Sequence, residues 1–255
     1  MFTGIIIIAS IGLLGILSHR RTRLENRIYK NVPLTGWLNV LVFPVMLYLG
    51  WFSVVKNILA RPVISYIPFD DFDILAITIL FGVYAFTGNA IHFTGKILWR
   101  YLEHHKHTMA YHINEMFHGK LSHYLVYLNV IFCGALLSVL EINHPLIDRL
   151  PLMYLFVIIV AGIISGLSAR RGIFYANEWF GGYNKPLFFV ILGLQLILAA
   201  LFKSLKLHLS FYPISVFIIS IFVTVIIAFL ARQIFIFARL GNKRRLRFLV
   251  KVLSV

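Results

Sequence analysis

Seven apolar runs divide this chain, and they restrict its possible folds more than any other feature of the sequence. The runs cover 2–18, 38–60, 74–97, 121–140, 152–168, 187–202 and 211–231. An α-helix of about 20 apolar residues crosses the hydrocarbon core of a bilayer. Because 60% of the residues are hydrophobic and only 13% are charged, no large aqueous domain fits beside these runs. The sequence therefore predicts an all-α, polytopic membrane helix bundle of about seven transmembrane helices.

Lysine and arginine are unevenly shared between the two ends of these runs. The segments after the first, third and fifth runs, together with the tail from Arg232, hold 19 of the 24 basic residues, and the other three loops hold 4. Basic residues accumulate in cytoplasmic loops. This asymmetry predicts an outside N-terminus and a cytoplasmic C-terminus, and we interpret the membrane as the bacterial inner (cytoplasmic) membrane. The positive charges follow the first run, so it is predicted to be a retained span.

The net charge of +15 is explained by membrane topology and by contact with anionic lipid headgroups. Nucleic acid is not a predicted partner, because the chain has no soluble domain to display a basic surface. We predict a bundle over 1–240 and a basic, amphipathic cytoplasmic tail over 241–255. Four basic residues recur every four positions from the end of the bundle into this tail and favour a helix on the leaflet surface, with a disordered tail as the alternative. They are Arg239, Lys243, Arg247 and Lys251.

Histidine is concentrated in one short region. Seven of the ten histidines fall between His92 and His123, around a histidine-rich cytoplasmic segment at 96–120. All seven are predicted to lie on one membrane face, as a metal site requires. Two carboxylates lie within helical reach of them. The candidate metal ligands are His92, Glu103, His104, His107, His112, Glu115, His118 and His123.

Imidazole and carboxylate ligands suit several transition metals, and iron is our first candidate. Haem b with His92 and His123 as axial ligands is the alternative cofactor. Two Glu-x-x-His patterns, Glu115–His118 and Glu141–His144, have the spacing of carboxylate di-iron bundles, although topology places them on opposite membrane faces. The pairs His107–His112 and His118–His123 both have H-x4-H spacing. This spacing resembles one histidine box of membrane fatty-acid desaturases. The chain lacks the H-x-x-H-H motif of that family, so membership is not predicted.

Three classes of function remain open from the sequence. The first is a metal-dependent oxidoreductase, with a di-iron centre as one form, which acts on a lipid or quinone-like substrate at the cytoplasmic leaflet. The second is a transporter or channel for a small solute, with Asn89, His92, Asn129 and Gln195 along a polar path. The third is a non-catalytic subunit that binds partners in a membrane complex. The histidines themselves also suit proton transfer, pH sensing or a structural role at the membrane surface.

Overall fold

A computed structural model describes residues 2–18, 26–29, 32–173, 184–241 and 244–245. Seven long helices make up most of this part of the chain. They are α1 (Phe2–Ser18), α2 (Leu34–Leu59), α3 (Asp71–Leu102), α4 (Met109–Ile142), α5 (Leu152–Ile173), α6 (Asn184–Ser204) and α7 (Pro213–Arg239). Short 3-10 turns cover Glu103–His105 and Leu209–Phe211, and a two-residue antiparallel ladder joins Ile28–Tyr29 to Val32–Pro33. The sequence analysis did not predict this ladder.

Six of these helices are long and apolar enough to cross a membrane, and the apolar helix Phe2–Leu17 is shorter. The prediction of an all-α integral membrane bundle is therefore confirmed. The number of spans and the orientation of the termini stay predictions. Most of the predicted basic tail, 242–243 and 246–255, lies outside the described residues.

Local sequence explains where α3 begins and where α2 departs from regular α-helical hydrogen bonding. The Asp70 side chain accepts a hydrogen bond from the amide of Asp73 at 2.8 Å, which caps the first turn of α3. In α2 the residues Leu38–Val42 form a π-helical turn just before Pro44. Proline has no N–H to donate to the carbonyl four residues earlier, so the regular hydrogen-bond pattern is interrupted at this point.

The helices pack around two central ones, α4 and α7. α3 and α4 form a long antiparallel hairpin, and α4 also contacts α6 and α7. α7 packs along α5, α5 along α1, and α1 along α2. The fully buried side chains Leu140 and Phe217 lie on α4 and α7, so the core is centred on those two helices.

The α3–α4 hairpin is longer than a bilayer requires. α3 has 32 residues, or about 48 Å of helix against the roughly 30 Å hydrocarbon core. The segment 96–120, predicted as a helical continuation and a surface-lying stretch, forms the tip of this hairpin. Its helices are joined through the 3-10 turn Glu103–His105.

Candidate functional site

Three of the clustered histidines meet between α3 and α4. His92 of α3 lies between His118 and His123 of α4, with its ring centroid 4.6 Å from each of theirs. His123 Nε2 lies 3.0 Å from His92 Nδ1, which is a hydrogen bond with one proton between two ring nitrogens. All three side chains are partly buried. We call these residues the histidine trio.

A π-helical turn explains how two histidines five positions apart reach the same partner. On an α-helix, residues five apart point about 140° away from each other. The segment Met116–Leu121 is π-helical, and its hydrogen bonds connect residues five apart, so that five residues make about one turn. His118 and His123 therefore share the face of α4 that contacts His92.

Two glycines let the backbones of α3 and α4 approach at the trio. Gly88 and Gly95 lie about one turn on either side of His92. A Cβ on Gly95 would lie 2.7 Å from the Cβ of His118, and one on Gly88 would lie 3.0 Å from an α4 carbonyl. The buried Asn114 donates to the carbonyl of Gly95 at 3.0 Å. The small residues thus allow α3 and α4 to pack closely, and a buried hydrogen bond stabilises their contact.

The hydrogen bonds around His92 indicate which nitrogen carries the proton. Ser122 donates its hydroxyl proton to the carbonyl of His118, and His92 Nδ1 lies 3.3 Å from that same carbonyl. A carbonyl only accepts, so His92 Nδ1 is best satisfied as the donor and His123 Nε2 as the acceptor. His118 Nε2 is buried and has no hydrogen-bond partner among the described residues. An unpaired buried nitrogen is costly unless another atom satisfies it.

The predicted carboxylates do not join the trio. Glu103 and Glu115 are half-buried, and neither forms an ion pair within the part of the chain that the structure describes. Lys96 lies one turn beyond His92 on α3.

The remaining predicted ligands lie elsewhere. His104, His107 and His112 are exposed at or near the tip of the hairpin. The ring of His107 contacts that of His105, with centroids 6.4 Å apart. The structure thus separates the clustered histidines into an exposed tip and the half-buried trio.

We tested the site for a metal from its donor set. Over the described ranges, no three histidine, cysteine, aspartate or glutamate side chains are grouped so as to hold a metal ion. In the trio only His92 Nδ1 and His123 Nε2 face each other within 3.0 Å, while the His118 ring stacks on His92. Two nitrogens on opposite sides of one haem iron need about 4 Å between them, so this pair is too close to bracket a haem.

A second polar site, which sequence reasoning missed, lies at the opposite end of the bundle. Glu141 is fully buried and pairs with Arg61 at 2.8 Å. Its other hydrogen bonds come from the amides of Ile214 and Ser215 and from the Ser215 hydroxyl. The Glu141 carboxylate therefore pairs with Arg61 and accepts hydrogen bonds from the first turn of α7. We call the whole group the outer polar cluster, and its members are Arg61, Asp71, Glu141, Asn143, His144 and Ser215.

The signal for this cluster was present in the sequence as an isolated Glu-x-x-His pattern at Glu141–His144. The sequence analysis interprets this pattern only as a di-iron spacing. About 39 Å of helix separates Glu141 from Glu115, so the two patterns do not form one centre in this structure. Burial near the same cluster, and proximity to Tyr66, raises the pKa of the Tyr212 phenol.

Comparison with known proteins gives no assignment: no family model, no curated protein and no solved structure matches this chain.

Proposed function

We propose that this integral membrane protein is a metal-dependent oxidoreductase whose metal binds at the histidine trio. The observation that supports it is the 3.0 Å distance between His92 Nδ1 and His123 Nε2. Two nitrogens bound to one metal at about 2.0–2.1 Å lie about 2.9–3.4 Å apart when their bonds meet at 90–109°. A metal ion would take the place of the shared proton after both rings turn so that their lone pairs converge on it, and binding would release that proton.

Iron is the proposed metal, because imidazole ligands suit it and because it changes valence readily. In this proposal the buried Nε2 of His118, which has no hydrogen-bond partner among the described residues, provides a further nitrogen once its ring turns from its stacked position on His92. With the predicted orientation, the trio lies toward the cytoplasmic leaflet of a bacterial inner membrane. The substrate class proposed is accordingly a lipid or quinone-like molecule dissolved in that leaflet.

Metal binding is tested with the full chain, purified without an affinity tag or chelator, in nanodiscs. After anaerobic loading with Fe²⁺ and removal of free ion, elemental analysis should give about one iron per chain. His92→Ala and His123→Ala should each weaken binding about ten-fold or more. His107→Ala and His208→Ala are matched controls, since both histidines are exposed and lie apart from the trio, and they should bind iron as the wild type does. A wild type without iron, or trio variants with full iron, would contradict the proposal.

The redox reaction is tested on the same preparations. Iron-loaded protein should oxidise a quinol in the nanodisc with oxygen as electron acceptor, and metal-free protein should not. Equal rates with and without iron would contradict the oxidoreductase assignment even if the metal binds.

Proton transfer through the trio is the second candidate, and the hydrogen bond between His92 and His123 favours it. Neutral imidazole accepts a proton on one nitrogen and releases one from the other, so two bonded rings can pass a proton along. Gln195, whose side-chain oxygen is buried without a partner among the described residues, suits a polar path of the transporter type. Metal-free protein in liposomes should then collapse an imposed pH gradient, and His92→Ala should prevent this.

A further inference from the structure

Three of the long helices, α1, α5 and α7, run parallel and end at the same face of the bundle. Their backbones approach closely at glycines, and the close approaches advance in the same direction along each pair of helices. They are Gly12–Ser165 and Gly15–Ser168 between α1 and α5, and Gly162–Ser220 and Gly166–Thr224 between α5 and α7. The C-terminal ends of the three helices therefore lie at one face, which is the face predicted to be cytoplasmic.

Arginines gather at these helix ends. Arg170 and Arg171 lie in the last turn of α5, and the Arg170 guanidinium is close enough to Arg171 and to Arg232 of α7 for their charges to repel it. Arg171 donates to the carbonyl of Ile16 on α1 at 2.8 Å. We call Arg170, Arg171 and Arg232 the arginine group. Because α1, α5 and α7 contain no aspartate or glutamate, none of the three helices supplies a carboxylate to it.

The segments that adjoin these helix ends in the sequence do not cancel the charge. The segments 19–25 and 174–183 lie outside the described residues, and they hold three arginines and two glutamates. Together with the arginine group this makes six arginines and two glutamates, a net charge of +4. An anion from outside the chain is therefore favoured at this face even if both glutamates pair with arginines.

A buried donor in the arginine group indicates a place for such an anion. The Nε of Arg170 is buried and has no hydrogen-bond partner among the described residues, and a buried donor without an acceptor is costly. A guanidinium has five N–H donors, and a phosphate accepts two parallel hydrogen bonds from one arginine. A phosphate at this position would satisfy donors of Arg170 and reduce the repulsion between neighbouring guanidiniums.

The surface of α5 below the arginines is apolar and suits an acyl chain. Ile163, Leu167 and Arg171 recur every four residues, so they form one stripe along the helix. Ile163 is 41% exposed and Leu167 is 43% exposed. The stripe extends about 12 Å from Arg171 to Ile163. A phospholipid whose phosphate lies at the arginines would therefore place an acyl chain along Leu167 and Ile163.

We propose that the arginine group binds the headgroup phosphate of an anionic phospholipid, with an acyl chain along the stripe of Ile163 and Leu167. Basic pockets between transmembrane helices are suited to such headgroups. An anionic lipid is favoured over a zwitterionic one, because the ammonium of a zwitterionic headgroup would be repelled by the same charges. The bound lipid would link the ends of α5 and α7, independently of any metal at the histidine trio.

The test is native mass spectrometry of the full chain, delipidated in detergent and titrated with phosphatidylglycerol or phosphatidylcholine of the same acyl chains. The wild type should retain one phosphatidylglycerol at a concentration about ten-fold lower than it needs for phosphatidylcholine. Equal retention of the two lipids would overturn the proposal. Excess inorganic phosphate should not displace the lipid, and displacement would overturn the lipid assignment in favour of a site for free phosphate. This comparison needs no variant to fold.

Two charge-matched variants separate the arginine group from a general effect of positive charge. Arg170→Gln combined with Arg171→Gln should weaken phosphatidylglycerol binding on the order of twenty-fold, at about five-fold for each basic residue. Lys106→Gln combined with Lys120→Gln removes the same charge from exposed positions on the α3–α4 hairpin, and it should bind the lipid as the wild type does. Unchanged binding in the arginine variant, or an equal loss in the lysine variant, would overturn the assignment.

Discussion

At the scale of single residues, substitution of one partner in the ion pair between Arg61 and Glu141 is expected to lower the stability of the protein strongly. Both side chains are buried, at 7% and 0% exposure, so removal of one partner leaves an uncompensated charge in the interior. Breaking a buried pair in this way costs about 3–5 kcal/mol, whereas loss of both charges together is often tolerated. Glu141 has an added role, because it satisfies the first amides of α7.

Arg61→Met should therefore lower the free energy of unfolding by about 3–5 kcal/mol. The double variant Arg61→Met with Glu141→Gln should recover part of that loss, because glutamine still accepts hydrogen bonds from α7 without a charge. Unfolding in mixed micelles with increasing dodecyl sulfate, followed by circular dichroism, measures both. A double variant less stable than Arg61→Met alone would show that the carboxylate stabilises the fold without its arginine.

A second prediction concerns the contact of Tyr127 with Gly172 on α5. The ring of Tyr127 packs on His123, with centroids 5.9 Å apart, and a Cβ on Gly172 would clash with the Tyr127 hydroxyl oxygen. Gly172→Ala should cost about 1–3 kcal/mol, as overpacking does. Tyr127→Phe added to it should restore only part of that stability, because the Tyr127 Cζ would still lie 2.8 Å from the new Cβ. Gly193→Ala is the matched control, since nothing lies within 4 Å of its Cβ position, and it should be neutral or stabilising. Thermal unfolding of the four proteins provides the comparison.

At the scale of helices, the sequence predicts the existence of elements better than their ends. The apolar run 121–140 predicts a span, but α4 starts at Met109, because helical hydrogen bonds continue into the polar segment once packing on α3 supports them. Composition singles out the region around His92, and its role as a functional site stays a prediction. The sequence does not predict which histidines meet, because that depends on the π-helical turn at Met116–Leu121 and on the close helix approach at Gly95, neither of which gives a periodic signal.

The π-helical turn leads to a prediction about deletions. Without Gly119, the segment can return to α-helical bonding with His118 and His123 four positions apart, which keeps both on one face, about 40° apart. No atom lies within 4 Å of a Cβ built on Gly119, so its loss leaves no gap. This deletion should preserve thermal stability and iron binding. Deletion of the exposed Val130 from the regular part of α4 should rotate one half of the helix by about 100° and abolish both.

At the scale of the whole molecule, the two polar sites lie at opposite ends of the bundle. The trio lies near the hairpin end that holds most of the basic loops, and the outer polar cluster lies at the end with few basic residues. Apolar helices between them leave little polar surface to connect the sites. The compartment that each site meets therefore depends on the orientation of the chain in its membrane.

Orientation is tested with single cysteines in a chain whose native Cys133 is replaced by alanine. His107→Cys marks the exposed hairpin tip, and Ile147→Cys marks the loop after α4, where Ile147 is 79% exposed. Because basic loops remain in the cytoplasm, a maleimide that does not cross membranes should label Ile147→Cys in intact bacterial cells and should label His107→Cys only after the membrane is opened. The opposite pattern would place the trio outside and the outer polar cluster on the cytoplasmic side. Labelling from the outside alone thus decides which compartment each site meets.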